Sequence, residues 1–193
     1  MKMQKSLYVE NNHKLTLNNL TLEIPTGLTY DEFKFGFFQR AAGLTITNCS
    51  VKGSLRVNGN NTLVENCDFI VTVGSGFDGY AIYYYGSNNS KMTVNNCTFN
   101  TVKKGIVMYS EYANVFDLTV NNCTFTASET DDKCAIQMHT EKGISGKLNI
   151  TNTTATGFYN LHNGLWQDVN NETGTQTKKF TVTVDGETVQ TAE

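Results

Sequence analysis

With 193 residues, of which 39% are hydrophobic and only 17% charged, the chain is long enough for one sizeable core and too short for two large domains. A formal net charge of −3 argues against the polycationic surface that nucleic acid requires. No apolar run reaches the roughly 18 residues of a membrane-spanning helix, so no membrane insertion is expected. Asn and Thr, 23 and 27 residues, make up about a quarter of the chain beside one Pro, which favours an all-β fold over a helical or disordered one.

The start, Met1-Lys2-Met3-Gln4-Lys5-Ser6-Leu7, has no long apolar stretch behind its lysines, so no signal peptide is read there. The expected location is cytoplasmic as the sequence stands, or the cell surface if a leader was removed. A phrase then appears, Leu15-Thr16-Leu17-Asn18-Asn19-Leu20-Thr21-Leu22, that returns along the chain. Its copies are Leu44-Thr45-Ile46-Thr47-Asn48-Cys49-Ser50-Val51 and Leu63-Val64-Glu65-Asn66-Cys67-Asp68-Phe69. Met92-Thr93-Val94-Asn95-Asn96-Cys97-Thr98-Phe99 and Leu118-Thr119-Val120-Asn121-Asn122-Cys123-Thr124-Phe125 follow. Leu148-Asn149-Ile150-Thr151-Asn152-Thr153-Thr154-Ala155 is the last copy. The anchor Asn falls at 19, 48, 66, 96, 122 and 152, with spacings of 29, 18, 30, 26 and 30 residues. A helix-free unit of this size is one coil of a solenoid.

Within each copy apolar and polar residues alternate, so Leu118 and Val120 face one way and Thr119 the other. The alternation resumes after the anchor with Cys123 and Phe125. Two short strands therefore flank one Asn, a residue that tolerates the left-handed backbone region and so can bend the chain sharply. Stacked coils put Asn48, Asn66, Asn96, Asn122 and Asn152 in a structural ladder. A third strand recurs as Ala81-Ile82-Tyr83-Tyr84-Tyr85, Gly105-Ile106-Val107-Met108-Tyr109 and Ala135-Ile136-Gln137-Met138-His139. Its inward set is Ile82, Ile106 and Ile136, then Tyr84, Met108 and Met138.

The whole chain, 1–193, reads as a single domain. Residues 1–43 are the expected N-terminal coils and cap, with Phe33-Lys34-Phe35-Gly36-Phe37-Phe38 helping to close that end. Residues 158–193 are the expected C-terminal capping segment, with Trp166 and a hairpin turning at Asp185-Gly186.

Three strands per coil and a bend Asn resemble the right-handed parallel β-helix of the pectin-lyase-like superfamily. The resemblance spans roughly residues 7–160 and implies six to seven coils with capped ends. It is specific for fold and not for activity, because that fold hosts lyases, hydrolases, adhesins and phage tail proteins.

Cys49, Cys67, Cys97 and Cys123 share the inward slot after the anchor, and Cys134 lies on another strand. The expected state is five free thiols packing as small apolar residues. A column along the solenoid axis does not converge as a metal site must. The repeated Asn-x-Ser/Thr triplets at Asn48, Asn96, Asn122 and Asn152 read as by-products of the ladder, tied inward and poor glycan acceptors. No Gly-rich phosphate loop, zinc pattern or EF-hand pattern occurs, and no cofactor or metal is expected.

In β-helix enzymes acting on polysaccharides the groove runs along the outer face of one sheet. By resemblance that is the sheet of the third strand, whose outward residues include Tyr83, Tyr85, Tyr109, Gln137 and His139, with Arg40 extending the column by one coil. Rows of aromatic faces with hydrogen-bonding tips suit a sugar chain or a protein loop. Ordinary strand propensity accounts for exposed Tyr equally well.

The segment Thr130-Asp131-Asp132-Lys133-Cys134-Ala135 is similar to the Asp-Asp-x-x-Ala segment of polygalacturonase-like glycosidases. In those enzymes paired carboxylates about 6.5–9.5 Å apart serve an inverting hydrolysis. Asp131, Asp132 and, two coils away, Asp78 are thus the catalytic candidates. The neighbouring motifs of that family are missing: the preceding coil offers Val102-Lys103-Lys104-Gly105, and the following one only Leu161-His162-Asn163-Gly164. Pectate-lyase chemistry lacks an acidic cluster beside Arg40 or Arg56, the only arginines. Asp131 and Asp132 then read as solvated turn residues.

Three functions stay open. The leading one is a noncatalytic binding module that recognises a glycan or a protein through an outer sheet face. The second is a polygalacturonase- or lyase-like carbohydrate-active enzyme. The third is an intracellular interaction or inhibitor protein of phage type that binds a host factor.

Overall fold

Alternation decides the strands. Leu118 and Val120 are fully buried while Thr119 between them is partly exposed, and each repeat copy follows the same pattern. In this computed structural model the described residues are 7–8, 14–24, 26, 38–41, 43–59, 61–72, 79–86, 89–110, 115–131, 134–140, 145–159, 162–169 and 178–193. They form three sheets of a parallel β-solenoid. One coil runs through Tyr80–Tyr85, Asn89–Asn95, the bend at Asn96, and Thr98–Thr101. The sheets are called here the tyrosine, pre-bend and post-bend sheets.

The tyrosine sheet has seven strands, from Leu7–Tyr8 to Trp166–Val169. The post-bend sheet has six, from Thr21–Glu23 to Thr154–Phe158. The pre-bend sheet has eight, from Lys14–Asn18 to Phe180–Val184, with Glu187–Gln190 folding back antiparallel at its end. The shortest coil, between Asn48 and Asn66, contains a strand that the repeat pattern did not reveal, Leu55–Gly59. Arg56 and Asn58 break the aromatic signature there, yet Leu55 and Val57 pair with Ile82 and Tyr84 as the pleat demands.

All six anchor Asn adopt the left-handed backbone, with φ between 46° and 55°. From Asn19 to Asn122 their main chain continues the ladder: Asn66 N–H donates to Asn95 O at 3.0 Å and Asn96 N–H to Asn121 O at 3.0 Å. The side chains correct the inward reading, because Asn48, Asn66, Asn96, Asn122 and Asn152 are all exposed. Their amides bond along the outer ridge, Asn48 Nδ2 to Asn18 Oδ1 at 2.9 Å and Asn122 Nδ2 to Asn96 Oδ1 at 3.2 Å. The anchor is therefore selected for its backbone, and the amide rungs sit in water. At the last bend Asp185 takes the place of Asn, with φ 49°, and its carboxylate accepts the Asn152 N–H at 2.7 Å. Gly186, φ 86°, completes the hairpin turn.

Inside, like residues stack. Phe69, Phe99 and Phe125 form a file of near-parallel rings with centroids 4.8 and 4.4 Å apart. Ile82, Ile106, Ile136 and Trp166 make a second file, and Tyr84, Met108 and Met138 a third that ends on Asp168. Tyr84 lies wholly inside beside Thr62 and Ser90, and burial pushes its phenol well above the ordinary value. The four repeat cysteines are buried and, like Cys134, free.

The C-terminal end closes on two devices. Buried Asp168 accepts the Phe180 N–H at 3.1 Å and Gln190 Nε2 at 2.9 Å, tying the last tyrosine-sheet strand to the terminal hairpin. Above Trp166, a turn of left-handed residues, His162–Gly164, lays the imidazole flat on the indole at 3.6 Å. The expected aromatic closure of the opposite end, residues 33–37, lies outside the described residues.

Two outcomes follow from the bends and the cap. Asn122→Ala forces a residue without the side-chain amide into the left-handed region, at about 1–2 kcal/mol, and also removes an exposed bond. Asn122→Gly removes the bond alone, so the melting temperature should fall further for Ala than for Gly; the reverse order contradicts a backbone role. Burial holds the His162 imidazole below its ordinary pKa, so the neutral ring's support of the cap is complete above about pH 6.5. That support is lost as pH falls through the lower folded value. Trp166 is the only tryptophan, so its fluorescence should quench in one step with a midpoint below pH 6.5, and His162→Gln should abolish the step.

Candidate functional site: the tyrosine face

The outer face of the tyrosine sheet is set by its register. Ile82, Ile106 and Ile136 face in, which turns Arg56, Tyr83, Val107, Gln137 and Gln167 out as one file. Two residues further along, Tyr85, Tyr109 and His139 form a parallel file that ends on Val169.

Four of the expected residues come together. Tyr85 and Tyr109 lie 5.4 Å apart between ring centroids, and Tyr109 meets the His139 ring edge-on at 4.8 Å. Tyr83 joins diagonally, 6.4 Å from Tyr109. All four are half-buried, so each keeps a face or tip toward solvent.

Two expected residues stand elsewhere. Gln137 is outward by register but only 6% exposed, and Arg56 at 1% and Val107 at 3% lie equally deep in its file. Of that file only Tyr83 keeps partial exposure, and the open surface is narrower than the alternation alone implies. Arg40 falls at a register shift between Gln39 and Ala41, with strand Leu55–Gly59 between it and the Tyr83 strand. It does not extend the tyrosine column by one coil; the neighbour there is the undetected strand with Arg56.

The sequence reading missed Tyr80, Lys103 and Lys104. Tyr80 stacks on Tyr83 at 6.0 Å, and burial raises its phenol above the ordinary value. Lys103 Nζ and Lys104 Nζ lie 5.8 and 5.5 Å from the Tyr80 centroid, close enough for cation–π attraction. Gly79 makes the approach possible, since a Cβ there would stand 2.7 Å from the Lys103 stem. The spacing from Tyr80 to Lys104 across one coil was the available signal. Cys134 lies fully buried nearby; desolvation pushes its thiol up to about 12 despite the Lys104 charge.

Of the three catalytic candidates, only the main chain of Asp131 is described. Asp131 ends the post-bend strand Thr124–Asp131, where it pairs with Phe158 across a register shift. Asp78 and Asp132 lie outside the described residues. Among the described residues, no outward position of the two tyrosine files carries a carboxylate, and no three His, Cys, Asp or Glu side chains converge as a metal site. A separate groove of about 520 Å³ lies on the outer pre-bend sheet, between Lys14 and Lys91 over Thr45 and Thr93.

Among the described residues no helix is long and apolar enough to cross a membrane. No curated protein and no solved structure matches the chain. The repeat, the left-handed bends and the three parallel sheets do have a counterpart: the family described as right handed beta helix region matches residues 2–155, and the chain belongs to that family.

Proposed function

We propose that this β-helix is a noncatalytic binding module and that its tyrosine face is the recognition surface for a glycan or protein. The observation that carries this reading is the continuous ring cluster Tyr80, Tyr83, Tyr109, Tyr85 and His139, with neighbouring centroids 4.8–6.4 Å apart. The cluster stands on a rigid sheet, so its rings lose little freedom on binding. Phenol faces supply apolar contact and their hydroxyls supply hydrogen bonds, a pairing suited to sugar rings and to extended protein loops. The two lysines over Tyr80 add positive charge at one edge, which favours partners that carry acidic groups there.

Binding is tested on a glycan array and by affinity capture from host extract, with wild type and a Tyr85→Ala/Tyr109→Ala variant. The variant should keep its far-ultraviolet dichroism, because both side chains stand outside the core. Loss of two aromatic anchors worth about 1 kcal/mol each should weaken binding by at least about tenfold. Undiminished affinity in the folded variant moves the interface to another surface. Turnover of polyuronides by the wild-type protein replaces this reading with an enzymatic one.

A further inference from the structure

The four repeat cysteines do more than fill space in a regular way; they repeat one geometry. Each Sγ lies against the carbonyl two residues back in its own coil: Cys49 to Thr47 O at 3.1 Å, Cys67 to Glu65 O at 3.2 Å, Cys97 to Asn95 O at 3.1 Å and Cys123 to Asn121 O at 3.2 Å. Each also lies 3.6–3.9 Å from a carbonyl of the preceding coil. The bonds Asp68 N–H to Cys49 O, Thr98 N–H to Cys67 O and Thr124 N–H to Cys97 O, all 3.0 Å, stack the four residues directly. The sulfurs therefore occupy equivalent positions in successive coils, which repeat at about 4.8 Å.

We propose that this thiol file is a binding site for soft closed-shell metal ions that take two collinear sulfur ligands, the class of Hg(II), Ag(I) and Cu(I). A metal–thiolate bond of about 2.3 Å spans half the coil repeat, so an ion midway between two stacked sulfurs reaches both without moving the backbone. Thiolate ligands select such soft ions. The absence of a third converging ligand among the described residues disfavours tetrahedral zinc and leaves two-coordinate ions as the fit.

Charge favours the dication. Hg(II) with two thiolates is neutral, and a neutral centre is the one a buried site can hold at least cost. In forming it, two S–H bonds break, two Hg–S bonds form and two protons leave to solvent, with no change of oxidation state. The Cys49 N–H, 3.4 Å from Cys67 Sγ, is a donor to a thiolate. The file ends at Thr153, whose Oγ1 accepts the Cys123 N–H at 3.3 Å in place of a fifth sulfur. Four sulfurs make two pairs, Cys49 with Cys67 and Cys97 with Cys123.

The test is a titration of the reduced protein with Hg(II), followed by thiolate-to-metal absorption, proton release and melting temperature, with Zn(II) as comparison. Wild type should saturate its charge-transfer absorption at about two Hg(II) per chain, release about two protons per ion and melt at a higher temperature; Zn(II) should do none of these. Cys97→Ala should fall to about one ion, and Cys134→Ala should keep about two. Equal capacity in Cys97→Ala and wild type overturns the proposal. So does a wild-type melting temperature lowered by Hg(II), which would show the ion binding thiols of the unfolded chain.

Discussion

The structure depends on one main-chain hydrogen bond repeated at five of the six anchors, from Asn19 to Asn122: the bond from the N–H of a left-handed Asn to the next coil's carbonyl. Without the positive φ, the pre-bend and post-bend strands could not turn within a single residue and still keep both ladders intact. Because the bend has no inserted loop, the residue after it always enters the core at one place. The cysteine file and the phenylalanine file are both consequences of that fixed phase. The parallel strands before the bend keep one register throughout, whereas register shifts occur in the tyrosine sheet between Gln39 and Ala41 and in the post-bend sheet between Thr126 and Asp131. The coil shrinks to 18 residues between Asn48 and Asn66 and still gives one strand to each sheet.

That fixed phase explains how much was legible in the sequence. The anchors, the two strands around each bend and the inward set of the tyrosine sheet all followed from alternation about Asn, because the pleat admits no other assignment once one face is apolar. The strand Leu55–Gly59 was hidden because Arg56 and Asn58 depart from the repeat's sequence while its inward pair, Leu55 and Val57, conforms. The side chains of the anchors were misplaced for a related reason. A left-handed residue bends the main chain, and nothing in an Asn-x-Cys pattern states on which side of the bend the amide falls.

The site was less legible than the fold. Register placed Tyr83, Tyr85, Tyr109 and His139 on one face, and their rings do meet there. Burial does not follow from register, so Gln137 and Arg56, outward by alternation, lie nearly inaccessible. Lys103 and Lys104 converge on Tyr80 from the following coil, a relation between coils that a strand-by-strand reading overlooks. The aromatic cluster is thus a product of stacking, as the core is, and its cationic edge comes from the start of the next strand, Lys104, and the residue before it.

Amide hydrogen exchange at the bends tests this account most directly. The anchor side chains are exposed and a turn on a surface ridge ordinarily exchanges fast, whereas an N–H bonded into the inter-coil ladder exchanges only when the coils separate. The account predicts that the amides of Asn48, Asn66, Asn96 and Asn122 are protected to the same degree as those of the strands on either side of them. Exchange at these four amides as fast as in an unstructured peptide would contradict it.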